Sequence, residues 1–179
     1  MLSLLQSFSK SRTCWVLLIL TGLFLEGSAL YFQYYLRMDP CVNCIYERVA
    51  VATFIIAGII GFLLPQFFIT RLVAILFMLC GAVFGLQTSI EHYNSVNATG
   101  LGAKCQITTN FPDYLPLDEL LPWMFKSNGQ CVPLDWSFVG LSMPEWLIII
   151  FICGCAASGL LLFSQFIKRN HKDYISLYR

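Results

Sequence analysis

Four cysteines and one arginine are the residues of this chain whose types and spacing could carry chemistry. Cys41 and Cys44 form a Cys-x-x-Cys pair, and Cys105 and Cys131 lie in the only long polar segment. Arg48 follows Cys44 by about one helical turn. A close thiol pair can cycle between dithiol and disulfide, and a fixed cation nearby favours the reactive thiolate. The pattern indicates electron transfer between protein thiols and a second carrier.

The residues around the pair predict that a helix begins there. Pro40 precedes Cys41, and proline is tolerated at a helix start. Both thiols would then lie near a helix N-terminus, where the helix dipole favours the thiolate. Positions 41, 44 and 48 share one helical face by their spacing, so Arg48 is expected to point the same way as the thiols.

Arg48 is expected at the edge of the hydrocarbon, where a guanidinium is costly unless it is paired or functional. We predict that it donates to an anion or a carbonyl oxygen beside the Cys44 sulfur. The alternatives are an ion pair with Glu47 or Glu91, or snorkelling into the headgroups. His92 closes the third apolar stretch at a similar depth and is a second candidate for this site. Its alternative is an ordinary interfacial residue.

The elements that must position these residues are apolar stretches. Of 179 residues, 58% are hydrophobic and only 12% are charged, and the mean hydropathy is +0.71. A soluble domain carries about 25% charged residues. The net charge of +1 provides no basic patch for nucleic acid. This composition indicates a membrane protein.

Four stretches are close to the ~20 residues that a helix needs to cross a bilayer. They cover about 14–35, 45–64, 72–90 and 146–167. Backbone groups in hydrocarbon must be paired within the helix. The sequence therefore predicts an all-α membrane protein, a four-transmembrane-helix bundle forming one domain over residues 1–179. Glu26 lies inside the first stretch, where we expect a hydrogen bond between helices and assign no chemistry.

Basic residues predict the orientation of the bundle. Most of them lie in the two tails and in the turn after the second stretch: Lys10, Arg12, Arg71, Lys168, Arg169, Lys172 and Arg179. Such an excess marks the cytoplasmic side. Both termini are therefore expected in the cytoplasm, and the loops at about 36–44 and 93–144 are expected outside. A cleaved signal peptide ending near 27–29 is the alternative for the first stretch, but apolar character resumes at Leu30.

The long outward loop contains a pattern typical of a short amphipathic helix. Apolar residues recur at i, i+3, i+4 and i+7: Leu117, Leu120, Leu121 and Met124. Pro116 suits a first helical turn, and Pro122 would strain or end a longer helix. We predict a short helix on the membrane surface. The alternative is a small hydrophobic core that closes the loop on itself.

The eight cysteines divide into two groups by their position. The four outward ones lie where disulfides persist, and four cysteines allow three pairings. A redox-active pair at positions 41 and 44 is favoured over two alternatives, a four-cysteine zinc site and a purely structural staple. The other four lie in apolar stretches, where we expect them to be buried and inert: Cys14, Cys80, Cys153 and Cys155.

Taken in order, these features resemble the disulfide bond formation protein B (DsbB) family of bacterial inner-membrane thiol oxidases. The resemblance covers nearly the whole chain. It depends on five segments: Pro40–Arg48, Glu91–His92, Phe111–Asp118, the Cys105 and Cys131 pair, and Met143–Leu147. A bare Cys-x-x-Cys is a weak signal, whereas this combination with four spans is highly specific.

The resemblance implies a bound quinone, ubiquinone or menaquinone, and a periplasmic partner of the DsbA type with a thioredoxin fold. The partner would attack Cys105, Cys131 would leave and attack Cys41, and Cys44 would be released as a thiolate beside the quinone. Arg48 would hydrogen-bond a quinone oxygen and His92 would help line that pocket. The membrane would supply the quinone pool.

Two other functions remain open on the sequence. One is a non-enzymatic protein with four spans and a disulfide-stapled loop that binds a partner. The other is a quinone-linked oxidoreductase with a dedicated substrate, including one that runs in the reductive direction.

Overall fold

A computed structural model describes residues 7–97, 109–112, 116–129 and 136–166 of the chain. In chain order the elements are α1 (Arg12–Tyr34), α2 (Val42–Leu63), α3 (Phe68–Asn97), α4 (Leu117–Leu120), α5 (Pro122–Phe125), β1 (Ser137–Phe138), β2 (Leu141–Ser142) and α6 (Met143–Phe166). The helices α1, α2, α3 and α6 are each long and apolar enough to cross a membrane. The predicted all-α bundle is therefore confirmed, and the protein is a multi-pass membrane protein.

The four long helices pack in sequence, with α1 against α2, α2 against α3, and α3 against α6. Among the described residues, no interface of similar extent joins α1 to α6. Small residues allow close helix approach, as is usual within membranes. A side chain at Gly81 would overlap Thr53, and one at Gly85 would overlap the ring of Phe151. This tight α2–α3–α6 contact holds the functional helices in a defined register.

The end of the bundle farthest from Cys41 is closed by buried polar contacts. The fully buried indole of Trp15 donates to the carbonyl oxygen of Ser9 at 3.0 Å and occupies the space beside Gly61. Arg71 donates to Gln165 Oε1 at 3.0 Å. The opposite end carries Cys41, and we call it the thiol end.

The predicted amphipathic segment is present, but it forms two separate turns, α4 and α5. Leu121 interrupts it with φ −132° and ψ 62°, and Pro122 starts the second turn. Proline cannot donate to the preceding turn, so the helix restarts there. Leu120 and Trp123 are exposed while Phe125 is buried. The exposed apolar residues suit a membrane surface, as expected.

Two cysteines in the spans differ from the expectation of burial. Cys14 is buried and Cys155 is half-buried, whereas Cys80 and Cys153 are exposed on the outer face of the bundle. In a membrane protein that outer face is turned toward lipid, which solvates a small apolar thiol well. The expectation of burial was therefore wrong for Cys80 and Cys153, because both lie on the outer face of the bundle, whereas it holds for Cys14.

Candidate functional site

The thiol pair lies at the first turn of α2. Cys41 is the N-cap residue, and its Sγ accepts a hydrogen bond from the amide of Cys44 at 3.2 Å. The two sulfurs lie 2.7 Å apart. Pro40 therefore precedes the cap instead of occupying the first helical position. This arrangement aims the positive end of the helix dipole at the Cys41 sulfur.

A histidine and a carboxylate lie behind the thiols. His92 on α3 places Nε2 3.6 Å from Cys41 Sγ and 4.0 Å from Cys44 Sγ. Its other ring nitrogen, Nδ1, lies 3.1 Å from Glu47 Oε1. Both His92 and Glu47 are buried. The order thiol, imidazole, carboxylate is the arrangement by which a base holds a nucleophilic thiol deprotonated.

These contacts make Cys41 a stable thiolate. The hydrogen bond from the Cys44 thiol, supported by His92 and the Cys44 amide, lowers the pKa of Cys41 to about 4 although burial opposes it. The sequence predicted that both thiols would share the dipole's effect. The structure instead separates them, because Cys44 donates the hydrogen bond that Cys41 accepts. In the dithiol form the negative charge belongs to Cys41.

Arg48 is buried and donates three hydrogen bonds to neutral acceptors. One Nη1 contact is to Gln33 Oε1 at 2.6 Å and another is to the carbonyl oxygen of Met124 at 2.8 Å. Nη2 donates to the carbonyl oxygen of Ala29 at 3.1 Å. Within the described part of the chain no ion pair of Arg48 is found; Glu47 pairs with His92 instead. The guanidinium therefore keeps its charge without a direct counterion.

A cavity of about 380 Å³ opens beside Cys44 and Arg48. Its wall comes from α1, the start of α2, the hairpin strand β1 and the first turns of α6, and it includes aromatic residues such as Trp136 and Trp146. The size lies within the ~300–1,000 Å³ of small-molecule sites, which are mostly apolar with a few polar groups. His92 and Cys41 are not among the described residues that line it. The thiol pair therefore has two sides, with Cys41 toward His92 and Cys44 toward the cavity.

The outer loop is anchored on the residue before the thiol pair. The amides of Asn128 and Gly129 both donate to the carbonyl oxygen of Pro40, at 3.2 and 3.0 Å. Just before this point, the Tyr34 hydroxyl donates to the carbonyl oxygen of Trp123 at 2.6 Å. With the bond from Arg48 to the neighbouring Met124 carbonyl, these contacts attach the loop to α1 and α2 around the cavity.

Comparison with known proteins agrees with this architecture. The family described as disulfide bond formation protein DsbB matches residues 11–161. A Disulfide bond formation protein B of Photobacterium profundum is 42% identical over 97% of this chain and 98% of its own length. Proteins of the same name in Haemophilus influenzae and Vibrio vulnificus are 40% and 38% identical, covering 94% and 92% of this chain and 95% of their own lengths.

The chain belongs to the DsbB family. A role in disulfide bond formation, as a protein that oxidises thiols, follows from this membership. The resemblance inferred from the sequence is thereby confirmed at the level of the family. Cys105 and Cys131, which the sequence predicts as the second pair, lie outside the described residues of this DsbB family member.

Glu26 occupies an unexpected place in this DsbB family member. The carboxyl is 5% exposed and lines the cavity that Cys44 and Arg48 share. Neither of its oxygens has a hydrogen-bond partner in the described part of the chain. The expected hydrogen bond between helices is wrong, because the space that Glu26 faces is the cavity and not a neighbouring helix.

Several residues of the site had no signal of their own in the sequence. Glu47 appeared only as a candidate partner of Arg48, and the bond to His92 depends on how α2 and α3 pack. Gln33 and the Met124 carbonyl also went unnoticed, because a neutral acceptor for an arginine has no characteristic sequence pattern. The sequence did contain one clue: Glu47 and Arg48 are adjacent, and adjacent residues on a helix point in different directions. They were therefore expected to have different partners.

The zinc alternative can be compared with the same geometry. Sγ of Cys41, Sγ of Cys44 and a ring nitrogen of His92 lie within 4.8 Å of one another, so three donors converge. Two thiolates bound about 2.3 Å from a tetrahedral zinc stay about 3.8 Å apart. The observed 2.7 Å separation is much shorter. The short separation favours a disulfide bond between the two sulfurs over zinc binding.

Proposed function

We propose that this protein is a membrane thiol oxidase that reoxidises a periplasmic DsbA-like dithiol oxidase and delivers the electrons to a bound quinone, ubiquinone or menaquinone. One observation carries the proposal: the Cys41–Cys44 pair lies between a buried His92–Glu47 pair and an apolar cavity lined by Cys44 and Arg48. The name of the relatives, Disulfide bond formation protein B, supports the direction toward disulfide formation.

The cavity fits a flat lipid-soluble acceptor better than a polar one. Its wall is almost wholly apolar, and Glu26, Arg48 and the Cys44 thiol are among its few polar groups. Arg48 is the described cation on that wall and would donate to an acceptor's oxygen. When bound, a quinone would supply a sink for two electrons and two protons. His92, by contrast, is assigned to the thiol side, where it would hold the Cys41 proton.

The relay that we propose conserves electrons and protons. The partner's thiolate attacks Cys105, the Cys105–Cys131 disulfide opens, and the Cys131 thiolate attacks Cys41 of the Cys41–Cys44 disulfide. Cys44 is released with the electron pair on the cavity side. The partner's second thiolate would then attack the partner–Cys105 disulfide, and the freed Cys105 thiolate would attack Cys131 and release Cys41. The partner leaves as a disulfide, the Cys105–Cys131 disulfide is restored, and Cys41 and Cys44 keep the electron pair until the acceptor takes it and their own disulfide forms again. Each exchange forms one sulfur–sulfur bond and breaks another. Overall the partner loses two electrons and two protons, and the acceptor gains both.

Access selects Cys41 as the attacked sulfur in this scheme. A thiol of low pKa is usually the better leaving group, which alone would direct attack to Cys44. The loop that leads to Cys131, however, is bound to Pro40, directly before Cys41. Cys131 is two residues beyond Gly129, so its backbone lies at most about 7 Å further along the chain. Once Cys41 is in the mixed disulfide, Arg48 and His92 face the charge on Cys44.

The orientation of the chain is part of the proposal. The thiol end would face the periplasm and both termini the cytoplasm, in the inner membrane of a bacterium. Disulfide exchange with a secreted-compartment partner requires that placement. Labelling single cysteines, one introduced at the exposed Arg37 beside the pair and one at position 105, with a membrane-impermeant maleimide from each side of sealed vesicles tests it. Labelling from the cytoplasmic side would overturn the orientation and the proposed partner.

The activity is tested by anaerobic titration of the purified full-length protein with ubiquinone-1 and a reduced DsbA-like protein. We expect one quinone reduced for each partner dithiol oxidised. Cys44→Ser should undergo one exchange with the partner and reduce no quinone. Sustained turnover by that variant would refute the relay order. A wild-type protein that reduces no quinone would leave the non-enzymatic, partner-binding alternative.

A further inference from the structure

A buried carboxyl without a partner faces the proposed acceptor site. Glu26 lies on α1, inside a membrane-spanning helix, and is 5% exposed. Both carboxyl oxygens are without a hydrogen bond to any described residue. Burying an unpaired carboxylate costs several kcal/mol, so a group in this setting is favoured as the neutral acid. Glu26 therefore stores a proton at the wall of the cavity.

The neighbours of Glu26 leave that proton available. Arg48 on α2 interacts electrostatically with Glu26, but its hydrogen bonds go to Gln33, Ala29 and Met124. Glu47 also borders the cavity, and its carboxylate is occupied by His92. Asp39 is exposed at the rim. The cavity wall formed by α6 contains only apolar residues and Trp146. Among the described residues, Glu26 is the buried acid on the wall that is not already bonded.

The thiol pair supplies only one of its two protons on the cavity side. The Cys41 proton is lost toward the ring of His92, which does not line the cavity, whereas the Cys44 thiol keeps its proton on the cavity side. Electrons leave through Cys44, on the cavity side. A quinone that accepts two electrons must also receive two protons on its oxygens. The second proton therefore needs another acid on the cavity wall.

We propose that Glu26 is the catalytic acid that donates a proton to the acceptor's oxygen during the reduction step. This inference rests on the proposed function. Glu26 changes from carboxylic acid to carboxylate as the O–H bond forms on the acceptor, and it then regains one of the protons that the partner dithiol released. Its own protonation is unchanged over one cycle. Two electrons and two protons still pass from the dithiol to the quinone.

The first test does not need turnover. Dicyclohexylcarbodiimide modifies neutral carboxylic acids in apolar surroundings, and mass spectrometry of the full-length protein in nanodiscs locates the adduct. We expect Glu26 to be modified and ubiquinone-1 to protect it. Glu26→Gln should lose the adduct, and Glu91→Gln, at an exposed carboxyl on α3, should keep it. An unmodified Glu26 would contradict the neutral, accessible acid that the proposal requires.

The second test separates proton transfer from binding and folding. Glu26→Gln should bind ubiquinone-1 with an unchanged Kd and exchange normally with the partner, yet form quinol at least about 100-fold more slowly. Glu26→Asp should recover part of the rate, and the solvent deuterium isotope effect should grow in it. If the wild type is active and Glu26→Gln forms quinol at the normal rate, the proposed role of Glu26 is overturned but the proposed function is not. A wild type that forms no quinol would overturn the proposed function itself.

Discussion

The amide of Gly129 donates a hydrogen bond to the carbonyl oxygen of Pro40, directly before the N-cap residue Cys41. A side chain at position 129 would overlap the carbonyl oxygen of Asp39. The glycine therefore permits a close approach of two backbone segments. Through this contact the loop that carries one predicted redox pair is fastened to the turn that carries the other.

Gly129→Val should detach the loop from Pro40. We expect the exchange between the two cysteine pairs to slow by about tenfold or more, because small displacements of reacting groups are costly. Reduction of the Cys41–Cys44 disulfide by dithiothreitol should be unchanged. Stopped-flow measurement with a reduced DsbA-like partner gives the first rate, and Gly27→Ala, at a position with open space around it, is the control. Equal slowing with both reductants would contradict a role in positioning.

His92→Gln should weaken the thiolate of Cys41. With a pKa of about 4, the thiolate is present above about pH 4 and disappears as the pH falls through that value. Its contribution to the stability of the reduced protein is full above the ordinary thiol pKa of ~8.5 and is lost on acidification. Removing the imidazole should move the midpoint of thiolate absorbance at 240 nm upward.

The same titration has a matched control on α3. The control is Glu91→Gln. Glu91 is next to His92 in the chain, but it is exposed and accepts a hydrogen bond from Gln87. We expect this variant to leave the Cys41 midpoint near 4, whereas Glu47→Gln should raise the midpoint in the same direction as His92→Gln. A midpoint in His92→Gln equal to that of wild type would exclude the imidazole as the group that stabilises the thiolate.

Arg48→Ala should impair the acceptor side more than the partner side. It removes three hydrogen bonds and the described cation of the cavity wall. Loss of one charge-assisted hydrogen bond corresponds to about tenfold or more in affinity, so the apparent KM for ubiquinone-1 should rise by about that factor. The partner's KM should change less. Steady-state kinetics with each substrate varied tests this, and an unchanged quinone KM would count against Arg48.

Gly85→Ala should destabilise the bundle at the α3–α6 contact. The added methyl group would overlap the fully buried ring of Phe151, and overpacking of this kind costs about 1–3 kcal/mol. Gly159→Ala is the control, because no atom lies within 4 Å of its added carbon. Unfolding in mixed micelles with increasing dodecyl sulfate compares the two variants. Equal stabilities of the two variants would show that the α3–α6 contact accommodates the added methyl group at no cost in stability.

The sequence by itself determined the class of the fold and the identity of the sulfur chemistry. Apolar length, the spacing of Cys41 and Cys44, and the break at Pro122 are local properties, and each acts through neighbours in the chain. They predicted four membrane helices, a helix that begins at the pair and a short amphipathic segment in the outer loop, which the structure divides into two turns at Pro122. The order of motifs along the chain was enough to indicate the DsbB family.

Only the tertiary structure decided that Cys41 contacts His92 and that Cys44 faces the cavity. The contact of His92 with Cys41 joins residues 51 positions apart, and the bond from Arg48 to Met124 spans 76 positions. Such distances depend on the rotation and register of packed helices, which no local pattern specifies. The same packing left the Glu26 carboxyl facing a cavity and not a partner, because α1 and α6 stay apart where α2 and α3 close together.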